Sequence, residues 1–226
     1  MLVSDCMIRD VITVTPDDSL ATALALTRRH RVRHLPVVLE SGDLAGILSD
    51  RDIRLAMPSP LTTTDPESAE FLERTPIAVV MTREVITANP FDTIEDAAKL
   101  LYRHRIGALP VVDGFQRMQG ILSETDILHA FLRILGVSEP SSRIELALQD
   151  EPGELGRALM IISEAAGLNV VSVLVPSQEQ NGRKLAVLHL GTIDPREAIG
   201  ALEAAGYVVG WPTLASSLQA PVKPAR

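Results

Sequence analysis

Between positions 92 and 101 the apolar residues Ile94, Ala97, Ala98 and Leu101 follow the i, i+3, i+4, i+7 stripe of a helix with one buried face. Asp92 reads as its N-cap, with Glu95 three positions on. The period then changes. Positions 109–112 are a short unbroken apolar run, Asp113-Gly114 opens a turn, and 118–122 is a second run, which predicts a β-hairpin. A further helix starts at Ser123, and a strand precedes Asp92, so the order is strand, helix, strand, strand, helix.

The same pattern occurs once before, at an offset of 74 residues without a gap. About twenty of some fifty positions are identical. Met7 meets Met81, Val11-Ile12-Thr13 meets Val85-Ile86-Thr87, and Arg29-His30-Arg31 meets Arg103-His104-Arg105. Leu35-Pro36-Val37-Val38 returns as Leu109-Pro110-Val111-Val112, and Gly46-Ile47-Leu48-Ser49 with Asp52-Ile53 returns as Gly120-Ile121-Leu122-Ser123 with Asp126-Ile127. The two copies take residues 1–56 and 77–136. The intervening 57–76, with Pro58, Pro60 and Pro66 and a helical patch at 68–74, reads as a connector without chemistry.

Beyond the repeat the pattern changes. Strands are predicted at 143–148, 169–175, 184–190 and 207–211, and helices at 155–166 and 195–205, closed by Gly167 and Gly206. That order is βαββαβ, a ferredoxin-like arrangement over 143–211, with 178–183 as the polar loop of the central hairpin. The last residues, 212–226, are rich in Ala, Ser and Pro and read as a mobile tail. The fold class is therefore α/β (α+β).

Composition adds limits. Aromatic residues are only 3% of the chain, so the core must be built from Leu, Val, Ile and Ala. A net charge of −8 disfavours DNA and anionic membranes as partners. The single cysteine, Cys6, excludes an intrachain disulfide and fits a reducing compartment. The first fourteen residues carry Asp5, Arg9 and Asp10 where a signal peptide would be apolar, and no apolar stretch approaches the length of a membrane span. The expected location is the cytoplasm.

In both copies a strand runs into Ser49-Asp50-Arg51-Asp52 or Ser123-Glu124-Thr125-Asp126, and a helix follows. One reading is a capping box, with no functional content. The other uses the same geometry for binding: free N–H groups, the helix dipole and the Ser hydroxyl receive a phosphate, while Asp52 or Asp126 accepts from the two hydroxyls of a ribose. An adjacent apolar strand bearing a proline supplies a flat wall for a purine.

Residues 7–56 and 81–130 resemble a tandem pair of CBS motifs, a Bateman module, through the L-P-V-V strand and the G-h-h-S/T-x-x-D junction (h apolar), each present twice. The resemblance implies that Thr13, Leu35, Pro36, Ser49 and Asp52 form one nucleotide site and Thr87, Leu109, Pro110, Ser123 and Asp126 the other. The copies differ beside the adenine strand, where Arg33-His34 stands against Gly107-Ala108. Arg33 and His34 can reach phosphates and Gly107 and Ala108 cannot, so the sites should be unequal and favour AMP, ADP or ATP over S-adenosylmethionine or NAD. A basic helix C-terminus complementing its dipole is the alternative explanation. His30 and His34 are four apart, but no acid or thiol stands near in sequence to complete a metal site, and none is expected.

The run Asp150-Glu151-Pro152-Gly153-Glu154-Leu155 resembles the D-x-P-G-x-L turn of ACT domains. This implies either an amino-acid effector near Asp150 and Gly153 or only a well-formed turn in a dimerising unit. Two CBS motifs and one ACT unit together resemble the acetoin-utilisation accessory proteins. That resemblance implies a homodimeric regulator of an unidentified metabolic enzyme, without a catalytic cofactor. The alternatives are a structural dimerisation module and an amino-acid sensor. Catalysis is disfavoured because the chain has no G-x-S-x-G, no H-E-x-x-H, no Walker loop and no cysteine beyond Cys6.

Overall fold

The computed structural model describes residues 1–58, 64–136, 140–176, 179–180 and 182–210, and the chain divides into two units, Met1–Ala130 and a second beginning at Phe131. In the first copy of the repeat, helix α1 (Leu20–His30) precedes the antiparallel hairpin of β1 (His34–Val38) and β2 (Leu44–Ser49), and α2 (Asp50–Ala56) follows. After α3 (Asp65–Arg74) and the short α4 (Ile77–Val80), the second copy repeats this with α5 (Ile94–His104), β3 (Ala108–Val112), β4 (Met118–Ser123) and α6 (Glu124–Ile134).

Three details depart from the sequence reading. The first strand of each copy is reduced to a single parallel bridge, Val14 to Val37 and Ala88 to Val111. The N-cap of α5 is Thr93, whose hydroxyl accepts from Asp96 N–H at 3.1 Å, while the Asp92 carboxylate accepts from Asn89 N–H one turn earlier. The connector is also more than a spacer. Its helix α3 begins at Asp65 because the Glu67 carboxylate accepts from both the N–H and the hydroxyl of Thr64. Leu72, Ile77 and Met81 are then buried in the core of the first copy with Leu20, Leu35, Val37, Leu48 and Ile53. Full burial of side chains this size contributes about 1.5–3 kcal/mol each.

The copies exchange their leading segments. Leu20 N–H donates to Thr75 O and Ile77 N–H to Asp18 O, and 74 positions earlier or later Ile94 N–H donates to Met1 O and Val3 N–H to Asp92 O. Residues 1–8 thus complete the second copy and 75–82 the first. Thr82 exchanges both backbone hydrogen bonds with Ile47, as Ile8 does with Ile121. Pro36 is tolerated in a strand for this reason: its cross-strand partner Ile47 turns its N–H and C=O to Thr82, so the missing donor opens no rung. The hairpin tips also meet, Leu44 N–H donating to Gln116 O and Met118 N–H to Gly42 O.

The second unit has the βαββαβ order read from the sequence: β5 (Ser142–Gln149), α7 (Glu154–Ala166), β6 (Val170–Leu174), β8 (Arg183–Leu190), α8 (Arg196–Ala204) and β9 (Val208–Gly210). The sheet runs β6-β8-β5-β9, all antiparallel. Within the stretch read as a polar loop, β7 (Glu179–Gln180) pairs with the start of β8. Alternate residues of β5, namely Ile144, Leu146 and Leu148, pack with Ala158 and Ile162 of α7 and Ala198 and Leu202 of α8. Gly167 ends α7 at φ 59°, the left-handed position where a glycine carries no Cβ penalty. Trp211 and the stretch read as a tail, 212–226, lie outside the described residues.

Candidate functional site

Each Ser-x-x-Asp junction folds as a strand that stops and a helix that starts on the serine. At the end of β2, Asp52 Oδ2 accepts from Ser49 N–H at 2.9 Å and from Ser49 Oγ at 2.6 Å, and Asp52 N–H donates back to Ser49 Oγ at 3.2 Å. At the end of β4, Asp126 Oδ2 accepts from Ser123 N–H at 2.8 Å and from Ser123 Oγ at 2.6 Å. The capping box is therefore present in both copies. It uses one carboxylate oxygen only, and among the described residues Oδ1 of Asp52 and of Asp126 has no hydrogen-bond partner. The serine hydroxyls spend their proton inside the box. The first turn of α2 also carries Asp50 and Asp52, so this seven-residue helix presents negative charge where a phosphate was expected to find donors.

A cavity of about 410 Å³ opens between the two copies, within the range of small-molecule sites. The first copy contributes Arg33, His34, Ser49, Asp50, Arg51 and Asp52 to its wall; the second contributes Glu84, Val85, Ile86, Arg105, Gly107 and Ala108. Six of the residues nominated from sequence, Arg33, His34, Ser49, Asp52, Gly107 and Ala108, are thus brought together. Ser123 and Asp126 stand at the equivalent junction and are not part of this lining. Leu35, Pro36, Leu109 and Pro110 are buried in their hairpins. Thr13 is exposed and Thr87 half-buried, each one residue before its bridge.

Sequence reasoning passed over Arg51, Glu84 and Arg105. A signal for Arg105 was available: it matches Arg31 across the repeat, and both cap their helix in the left-handed conformation at φ 54°, where a long side chain is uncommon.

His34 lies against the second copy. A Cβ placed on Gly107 would stand 2.9 Å from His34 Cε1 and 3.1 Å from its Nε2. Burial pushes the His34 pKa below its ordinary value and Arg33 adds to this, while Asp50, Asp52 and Glu124 oppose it. The ring is therefore neutral at pH 7. Asp50 is ion-paired with Arg54. Among the described residues the guanidinium groups of Arg33, Arg51 and Arg105 have no ion-pair or hydrogen-bond partner. No group of three or more His, Cys, Asp or Glu side chains suited to a metal ion is found among the described residues.

In the second unit Asp150 is ion-paired with Lys184 at 2.6 Å, and Gly153 caps α7 at φ 88°.

The family profile of the CBS domain matches residues 3–59 and 77–133. The chain belongs to the CBS-domain family. A CBS domain-containing protein of Dictyostelium discoideum is 32% identical over 143 residues, covering 63% of this chain and 99% of the relative. Among solved structures, AcuB from Vibrio cholerae, assigned to acetoin utilization, superimposes with a TM-score of 0.52 at 28% identity over 61% of this chain and 95% of that one. CBSX2 in complex with AMP does so with a TM-score of 0.50 at 28% identity over 59% and 97%. CBS-bearing inosine-5'-monophosphate dehydrogenases of Korarchaeum cryptofilum and Mycobacterium leprae are 27% and 32% identical, over 42% and 29% of their own length. The chain spans less than half of those enzymes. No helix among the described residues is long and apolar enough to cross a membrane.

Proposed function

We propose that this CBS pair senses an adenosine nucleotide of the AMP, ADP or ATP type, and that the protein is a non-catalytic, cytoplasmic regulator acting as a homodimer on a metabolic enzyme. The observation that carries this reading is the cavity between the copies, where Asp52 keeps one carboxylate oxygen out of its capping box. That oxygen is an acceptor for a ribose hydroxyl. Arg33 stands at the same wall for a phosphate, and the structural neighbour CBSX2 holds AMP. The likeness to AcuB supports acetoin metabolism as the setting. Binding regulates only if it favours one of two arrangements of the protein, so the ligand must change the fit between the two copies that share its cavity.

A panel of AMP, ADP, ATP, NAD and S-adenosylmethionine tests the reading by thermal unfolding. A ligand at a hundredfold excess over Kd adds about 2.7 kcal/mol to stability. A nucleotide should raise the midpoint, and Asp52→Ala should weaken this while the protein stays folded. No response to any compound, in protein stripped of carried-over ligand, would favour a structural dimerisation module. Tighter binding of S-adenosylmethionine than of the nucleotides would reject the role given to the cations.

The second unit supports a further reading, an ACT-type unit. Its βαββαβ order, its sheet order and the left-handed Gly153 fit the D-x-P-G-x-L turn. The Asp150 ion pair with Lys184 favours a structural use of that turn over an amino-acid effector.

A further inference from the structure

We propose that the cavity between the copies selects its ligand by the length of the phosphate chain, taking a nucleoside di- or triphosphate ahead of the monophosphate through Arg33, Arg51 and Arg105. This rests on the nucleotide reading above and goes beyond it in assigning the phosphates to side chains of both copies.

The helix start at Ser49 has few donors to spare. Ser49 has its N–H and its hydroxyl proton bound to Asp52, and α2 opens with two carboxylates. Little at this junction is left for a phosphate. Guanidinium groups are the remaining strong donors on the wall, and three of them, two from the first copy and one from the second, have no partner among the described residues. A guanidinium presents paired N–H groups that match two phosphate oxygens, and such charge-assisted bonds are about twice as strong as neutral ones. One terminal phosphate has three outer oxygens and leaves part of this donor set idle; each added phosphate brings two or three more acceptors and another charge.

The acids on the same wall set the balance. Asp50 is held by Arg54, Asp52 has one oxygen in its box, and Glu84 has no partner among the described residues. Three carboxylates facing three guanidiniums attract a singly phosphorylated ligand weakly. They leave a longer chain to gain from forked contacts. Because the donors come from both copies, a polyphosphate also ties the copies together in a way that a monophosphate does not.

Calorimetric titration of the full chain with AMP, ADP and ATP, without metal and then with magnesium, tests this. ATP or ADP should bind about tenfold or more tightly than AMP, since each charged hydrogen bond gained is sufficient for that factor. Arg33→Gln, Arg51→Gln and Arg105→Gln should each narrow the ratio, costing ATP more affinity than AMP, because a single phosphate engages only part of this donor set. All three side chains are exposed, so the thermal midpoint of each unliganded variant should match the parent. Glu84→Gln should raise ATP affinity more than AMP affinity. AMP binding as tight as ATP in the parent, or a ratio unmoved by the arginine variants, overturns the proposal and leaves the nucleotide reading standing. Absence of binding by every nucleotide overturns both.

Discussion

His34 of the first copy and Gly107 of the second form a matched pair: a methyl group on Gly107 would enter the space of the imidazole, 2.9 Å from Cε1. The repeat would place Ala108 where His34 stands and Arg33 where Gly107 stands, so the copies have diverged into a large side chain facing a small one. Gly107→Ala should therefore cost about 1–3 kcal/mol as the ring is displaced. His34→Ala in the same chain should restore most of the loss, because the methyl then has room. Denaturant unfolding of the two single variants and the double variant measures this, and additive losses would show that the contact does not limit stability.

The same histidine predicts a pH dependence. Burial holds its folded pKa below about 6.5, with Arg33 acting in the same direction against Asp50, Asp52 and Glu124. Above that pH neither state carries the proton and the ring contributes nothing. As pH falls through 6.5 the unfolded chain takes up a proton that the folded chain resists, so stability drops until the folded pKa is passed. Urea unfolding between pH 7.5 and 5 should show a shallower loss in His34→Gln than in the parent. Equal slopes would remove His34 from the account. His189 shifts in the same direction, by burial and then by Arg143, and His189→Gln separates its share.

The repeat made most of the first unit legible, because a fixed offset transfers each element from one copy to the other. The L-P-V-V and Ser-x-x-Asp segments were recognisable because their geometry is local: Pro36 sits where no donor is required, and Asp52 caps the helix it begins. What stayed hidden depends on contacts between distant segments. Nothing in residues 1–8 indicates that Val3 is buried in the second copy, since its partner Asp92 is nearly ninety positions away. Arg105 became a wall residue of the first copy's cavity only when the copies faced each other. Of the two uses the sequence allows at each Ser-x-x-Asp junction, the capping box is present at Ser49, and its carboxylate takes up the serine's donors.

The exchange of leading segments predicts where a small change is costly. A Cβ on Gly120 would stand 2.8 Å from Ile8 O and 2.8 Å from Met7 Sδ, and one on Gly46 would stand 2.8 Å from Met81 Sδ and 2.9 Å from Thr82 O. The thioether can move, but the backbone carbonyl is fixed by the hydrogen bond it makes across the exchange. Gly120→Ala and Gly46→Ala should each destabilise by about 1–3 kcal/mol, and shortening Met7 or Met81 to Ala should not rescue them. Thermal midpoints of the glycine variants equal to the parent would mean that residues 1–8 and 75–82 are not seated as described.

In the second unit, Ser172 Oγ donates to Leu135 O at 2.6 Å and lies 3.0 Å from His189 Nδ1. The hydroxyl has one proton and gives it to the carbonyl, so Nδ1 must be the donor in the second bond and His189 is the Nδ1–H tautomer. His189 is buried, and a neutral ring with one satisfied N–H is the form that its surroundings favour. Ser172→Ala removes both bonds at once and leaves a carbonyl and an imidazole N–H without their partner, at a cost of about 1–3 kcal/mol for a buried group. His189→Leu on its own abolishes one bond and a polar group together, so its loss should be smaller. In the double variant the two effects should fall short of their sum by about 0.5 kcal/mol or more, the coupling expected of groups in one network. Nitrogen chemical shifts of the His189 ring provide the independent check: a proton on Nε2 in the parent would contradict the direction assigned to the Ser172 hydroxyl.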